Sequence, residues 1–115
     1  MFNLLLRIPL FILVDLIWLT TCSAFVFKMI RKIQGSDLHM RLLPGLVVYI
    51  ALAYLSKFPK SSLEAFLMGS AVYGIYDFTN YSTFKDYDIR FAAADTTWGG
   101  ILMAAVYNLA PMLGI

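Results

Sequence analysis

The sequence predicts an all-α membrane protein, a bundle of four transmembrane helices. Three observations carry that class. The chain has 115 residues, 61% of them apolar and 14% charged, where soluble domains average roughly 45–50% and about 25%. The apolar residues gather in four runs, 8–27, 42–56, 65–84 and 91–115, and none of them holds more than one charge. A membrane-spanning helix needs roughly 20 mainly apolar residues. Three runs reach that length, and the second reaches it with Phe58 and Pro59 at the interface. The spans are placed at 5–27, 42–58, 62–82 and 90–112, within one domain over 1–115.

The first run follows Arg7 as a signal peptide would, and Leu19-Thr20-Thr21-Cys22 resembles a degraded lipoprotein cleavage site. Asp15 in the middle of the apolar stretch argues against both readings. Pro9 is expected in the first turn of the first helix, where its missing N–H costs little. Pro44 can do the same for the second. The longest connection is expected over 28–41. Phe58-Pro59-Lys60-Ser61-Ser62 reads as a tight turn, and Ser61 with Glu64 has the spacing of a capping box. Asp88 is the expected N-cap of the fourth helix. Tyr54, Tyr81, Tyr87 and Tyr107 lie near run ends, where aromatic rings favour the interface. Small residues recur at Ala92, Thr96, Gly100 and Ala104, at Ala65 and Gly69, and at Ser70 and Gly74, a spacing that lets helices approach closely.

Lys and Arg in short loops favour the cytoplasmic side. Six of the nine flank the first and third connections, and Arg7, Lys57 and Lys60 flank the other side. Loops 28–41 and 85–90 are therefore expected on the cytoplasmic side, with both termini opposite. The net charge of +2 is too small for nucleic acid. The single cysteine, Cys22, excludes an internal disulfide. No phosphate-binding loop is present, and His39, the one histidine, sits in a basic loop, so no Ser-His-Asp set and no transition-metal site is assigned. No catalytic residue and no cofactor is named. The expected partners are the lipid bilayer and a further copy of the chain or a larger membrane complex.

Chemistry concentrates on three acids. Each of three apolar runs holds one: Asp15, Asp77 and Asp95. A charge in hydrocarbon costs a few kcal/mol, so all three are expected to face the bundle. Donors share their faces. Asp15 and Trp18 lie one turn apart on the first helix, Tyr73, Asp77 and Asn80 on the third, and Asp95 and Trp98 on the fourth. Tyr76 and Thr79 flank the central acid. These nine residues form the candidate ligand- or ion-binding set, and Asp77 and Asp95 are expected to lie near one another. Packing alone is the competing reading, since interhelical polar pairs contribute about 0.6–2 kcal/mol.

The same residues resemble a known family, the small integral membrane proteins catalogued as DUF2177, a domain of unknown function. Its Asp-Leu-x-Trp-Leu signature is matched by Asp15 to Leu19. Its Tyr-x-x-Tyr-Asp-x-Thr-Asn signature is matched by Tyr73, Tyr76, Asp77, Thr79 and Asn80, continued by Thr83. Its closing Asp-x-x-Trp-Gly is matched by Asp95, Trp98 and Gly99. The chain departs at Ser82, where alanine is usual, and at Tyr87, where tryptophan is expected. The resemblance implies four spans and one polar constellation, and it carries no activity.

The resulting expectation is a small integral membrane protein that binds or translocates a proton, cation or small solute through the acid cluster. The alternatives are a structural accessory subunit of a larger membrane assembly and a lipid-modifying membrane enzyme. A water-connected cavity touching two acids favours the first, a dry and fully paired set the second, and an acyl-sized pocket ending at the acids the third. The topology has its own check. Cysteines placed at Ser36 and Ser61 should react with an impermeant reagent from opposite faces of the membrane, and labelling from one face contradicts the four-span arrangement.

Overall fold

The computed structural model describes residues 2–115, leaving Met1 of the expected domain outside the description. Among the described residues there are four helices and no strand: α1 (Phe2–Gln34), α2 (Leu42–Leu55), α3 (Ser62–Thr83) and α4 (Ile89–Met112). The all-α class therefore stands. By length and composition alone, one helix qualifies as long and apolar enough to cross a membrane, α1. α2 is apolar but 14 residues long.

Two expectations about α1 are corrected. Pro9 lies inside the helix instead of in its first turn, because the helix begins at Phe2. Its missing N–H withdraws one donor from the preceding turn. The helix also runs beyond residue 27 to Gln34, so the connection to α2 shortens to 35–41. Residues 28–34 are mostly good helix formers. Arg31 and Lys32 stand in the last turn, where the helix dipole favours cations. Gly35 ends the helix with φ of 74°, a conformation only glycine adopts freely, and its N–H donates to the Arg31 carbonyl at 2.9 Å.

The remaining ends follow local chemistry. α2 stops at Leu55 and not at 58, as Phe58 N–H turns back onto the Leu55 carbonyl at 3.1 Å ahead of Pro59. Ser61 caps α3 by accepting from Glu64 N–H at 3.1 Å. Glu64 reaches back one residue further than in a standard capping box, accepting from Lys60 N–H at 2.9 Å. Asp88 caps α4 by accepting from Arg90 N–H at 2.8 Å, and Arg90 holds its carboxyl down to about 2. The lowered value makes this cap fully favourable above pH 3.8 and lost as pH falls through about 2.

α1 packs on α2 and α4, while α3 packs on α4 most extensively of all. The core joins Phe11 of α1, Leu52 and Ala53 of α2, Ala65 of α3, and Leu102, Met103, Val106 and Ala110 of α4. Arg7 ties the ends together, donating to the Ile115 carbonyl at 3.0 Å and to the Ser56 carbonyl and hydroxyl at 3.1 and 3.0 Å. The α3–α4 seam is the small-residue stripe. A Cβ at Gly69 would overlap the Gly99 carbonyl, one at Gly99 would overlap the Tyr73 ring, and one at Gly100 would overlap Ser70 and Phe66. Gly100 is buried there as expected, whereas Ala92 is buried against Met29 of α1 and Tyr87.

Gly69→Ala should lower stability in detergent by about 1–3 kcal/mol, because backbone stands in the way and overpacking costs that much. Gly45→Ala meets nothing within 4 Å and should be neutral or gain up to about 1 kcal/mol from helix propensity. Equal unfolding midpoints for both variants would contradict the close seam.

Candidate functional site

The acids are buried. Asp15 is 5% exposed, Asp95 9% and Asp77 0%. Their partners come from other elements. Trp18 Nε1 of α1 donates to Asp95 Oδ1 of α4 at 2.7 Å. Trp98 Nε1 of α4 donates to Asp15 Oδ1 of α1 at 2.7 Å. The two Asp-x-x-Trp segments thus serve each other. Position 15 faces 98 and position 18 faces 95, which requires the two helices to run antiparallel. The two indoles stack between the carboxylates, with centroids 5.7 Å apart and planes 11° from parallel. Such a pair adds about 0.5–1.5 kcal/mol beyond area burial.

The other donors lie elsewhere than the candidate set. Tyr49 of α2 donates its hydroxyl to Asp15 Oδ2 at 2.5 Å. Tyr87, in the connection between α3 and α4, donates to Asp77 Oδ1 at 2.7 Å. Burial, and then the bond to Asp77, push the Tyr87 hydroxyl well above the ordinary phenol range, so it stays a donor. Asp77 and Asp95 adjoin one another, with Thr96 beside Asp77. Asp77 Oδ2 and Thr96 Oγ1 are nonetheless buried without a hydrogen-bond partner.

Two cavities meet at this cluster. The larger, about 560 Å³, lies between the C-terminal halves of α1 and α3. Asp15 and Asp95 stand in its wall with six aromatic residues, Trp18, Tyr73, Tyr76, Phe84, Tyr87 and Phe91, and with Asn80. The smaller, about 460 Å³, lies between α2 and α3 and is lined by Val48, Ala51, Leu52, Leu55 and Val72 before it reaches Tyr73, Tyr76 and Asp95. No Lys, Arg or His lines either cavity. Among the described residues the ion pairs are Arg31–Asp37 and Arg90–Asp88, both away from the three acids.

Of the nine residues expected, eight stand at the cluster or line its cavities, Tyr76 from a largely exposed position. Thr79 does not. It is exposed, and its carbonyl accepts from the hydroxyls of Ser82 and Thr83 at 2.8 and 2.9 Å, so it belongs to the helix end. Tyr49 and Tyr87 were absent from the expected set. Tyr49 carried a usable signal, a hydroxyl in the middle of an uncharged apolar run, which needs a partner when buried. Tyr87 carried none, since a loop tyrosine reads equally as an interface residue.

A family model described as a predicted membrane protein, DUF2177, matches residues 1–112. No curated protein and no solved structure matches the chain. Every residue of the cluster lies inside the matched stretch.

Trp98→Phe keeps a stacking ring but withdraws the N–H from Asp15. It should cost about 1–3 kcal/mol, the penalty of a buried acceptor losing its donor. Combined with Asp15→Asn, it should show a coupling of about 0.5–3 kcal/mol in a double-mutant cycle of unfolding free energies. Strict additivity would contradict the reciprocal pairing.

Proposed function

The chain belongs to the DUF2177 family of predicted membrane proteins, and from that premise we propose that it is a multi-pass membrane protein that binds an amphiphilic organic cation at its acid cluster. The supporting observation is the larger cavity. It offers two carboxylates and six aromatic rings with no basic side chain among its lining residues. Its volume falls within the roughly 300–1,000 Å³ of small-molecule sites. Aromatic faces attract cations by about 0.5–2 kcal/mol each, and rings around a carboxylate are the surroundings in which an organic ammonium group loses least on leaving water. Uncompensated buried charge costs several kcal/mol, so a site this short of positive charge gains from any cation that fits.

The smaller cavity gives the ligand its tail. It is apolar and shares Tyr73, Tyr76 and Asp95 with the larger, so a head beside Asp95 would have a hydrocarbon-lined space between α2 and α3 within reach. A lateral pocket ending at acids is what a lipid-like ligand requires. Binding, and not translocation, is the role this arrangement supports.

A four-span arrangement is part of the proposal. Large apolar side chains stand exposed on every helix, among them Leu13 and Ile17, Leu43 and Val47, Leu67 and Ile75, and Ile101 and Leu109. Contiguous exposed apolar surface is rare on soluble monomers and is what hydrocarbon would cover. Helices α3 and α4 have 22 and 24 residues, enough to cross roughly 30 Å at 1.5 Å per residue.

The chain's two tryptophans, Trp18 and Trp98, both belong to the site, so its intrinsic fluorescence reports on binding. Decyltrimethylammonium titrated into the protein in zwitterionic nanodiscs should give a saturable change. Asp95→Asn should weaken the affinity by about tenfold, the equivalent of 1.4 kcal/mol. An uncharged decyl ether binding as tightly as the ammonium compound would refute the cation reading.

A further inference from the structure

Asp77 is the acid that the cation site leaves unexplained. It lines neither cavity, is fully buried and receives one donor, Tyr87, on Oδ1. Its other oxygen, Oδ2, has no hydrogen-bond partner, and the neighbouring Thr96 Oγ1 has none either. Yet the carboxyl group of Asp95 adjoins it. Two carboxylates are acceptors only, so contact between them in a dry interior is repulsive and leaves Oδ2 orphaned. A single hydrogen atom removes both problems, because a protonated carboxyl is a donor and its neighbour an acceptor.

We infer that Asp77 and Asp95 hold one proton between them, shared between Asp77 Oδ2 and the Asp95 carboxyl, and that this proton and the organic cation compete for Asp95. The second half rests on the cation reading above, and the first does not. The groups facing the pair supply no cation to balance it. They are Tyr87 from the connection, Tyr73 and Asn80 from α3, Thr96 from α4, and Asp15, Trp18 and Cys22 from α1. Tyr49 of α2 reaches only Asp15. None of these carries positive charge.

Asp95 is the link, because it both adjoins Asp77 and lines the two cavities. A cation beside Asp95 and a proton beside Asp95 repel one another. When the cation enters, the O–H bond of the pair breaks, the bonding electrons stay on the carboxyl oxygen that held the proton, and the proton leaves to solvent. Cation affinity therefore rises with pH, through release of up to one proton per cation.

Infrared spectroscopy of nanodisc-embedded protein carrying ¹³C-carboxyl aspartate tests the first half without ligand. The native protein at neutral pH should show the carbonyl stretch of one protonated aspartate, and Asp77→Asn should abolish it. Absence of the band, or its survival in Asp77→Asn, overturns the proton site. Should Asp77→Asn fail to fold, Tyr87→Phe takes its place. Loss of the hydroxyl bonded to the same carboxyl must move the band, and an unmoved band overturns the assignment. Decyltrimethylammonium added to weakly buffered native protein should then release protons in step with the fluorescence change. Binding without release overturns the competition. A protonated aspartate in a protein that binds no ammonium compound supports the proton site and sinks the cation reading alone.

Discussion

The reciprocal exchange between the two Asp-x-x-Trp segments organises the molecule. Each indole N–H enters the carboxylate of the opposite helix at 2.7 Å, and the two rings stack between them. One contact of this kind would leave α1 free to slide or rotate on α4. Two contacts, related by an antiparallel register, set depth and rotation together. A shift of one residue would carry both tryptophans off their acceptors and leave each buried carboxylate short of a donor, a loss that costs more for a charged group than for a neutral one. The arrangement is thus strongly specified by what its failure would cost, although each bond adds only about 1.5–3 kcal/mol.

The rest of the site is built outward from that pair. Gly69 and Gly99 let α3 meet α4 backbone to backbone, and the Tyr73 ring sits where Gly99 lacks a side chain. That placement brings Asp77 against Asp95 and turns Tyr73 and Tyr76 towards the cavities. α2 contributes one polar contact, Tyr49 on Asp15, and packs mainly through Leu52 and Ala53 near its C-terminal end. Its looser seat leaves the apolar cavity between α2 and α3. The cation and proton proposals share one physical root. Three acids are gathered with donors enough to orient them but with no positive charge to balance them.

Much of this is legible in the sequence. The four helices, the caps at Ser61 and Asp88, the buried stripe on α4 and the inward direction of three acids follow from local rules: apolar run length, capping chemistry, and the cost of an acid in hydrocarbon. The errors were local as well. Continuation of α1 to Gln34 depends on the helix-forming residues after Phe27, which composition had assigned to a loop because they are charged. Thr79 shared a motif with Asp77 but not a face, one hundred degrees per residue being enough to turn it outward.

Sequence alone determined which residues are polar at apolar depth, and therefore which had to find partners. It could not determine the partners themselves. Trp18 pairs with Asp95 and not with Asp15, three residues away on its own helix, because an indole and a carboxylate one turn apart project side by side, while the antiparallel neighbour presents its acceptor head-on. Tyr49 and Tyr87 were chosen in the same way, by what stood opposite once the helices had packed. Only the tertiary structure decided that Asp77 would be sealed against Asp95 with one oxygen unmatched, since that depends on the Gly69–Gly99 contact drawing two helices closer than any pattern along one chain records.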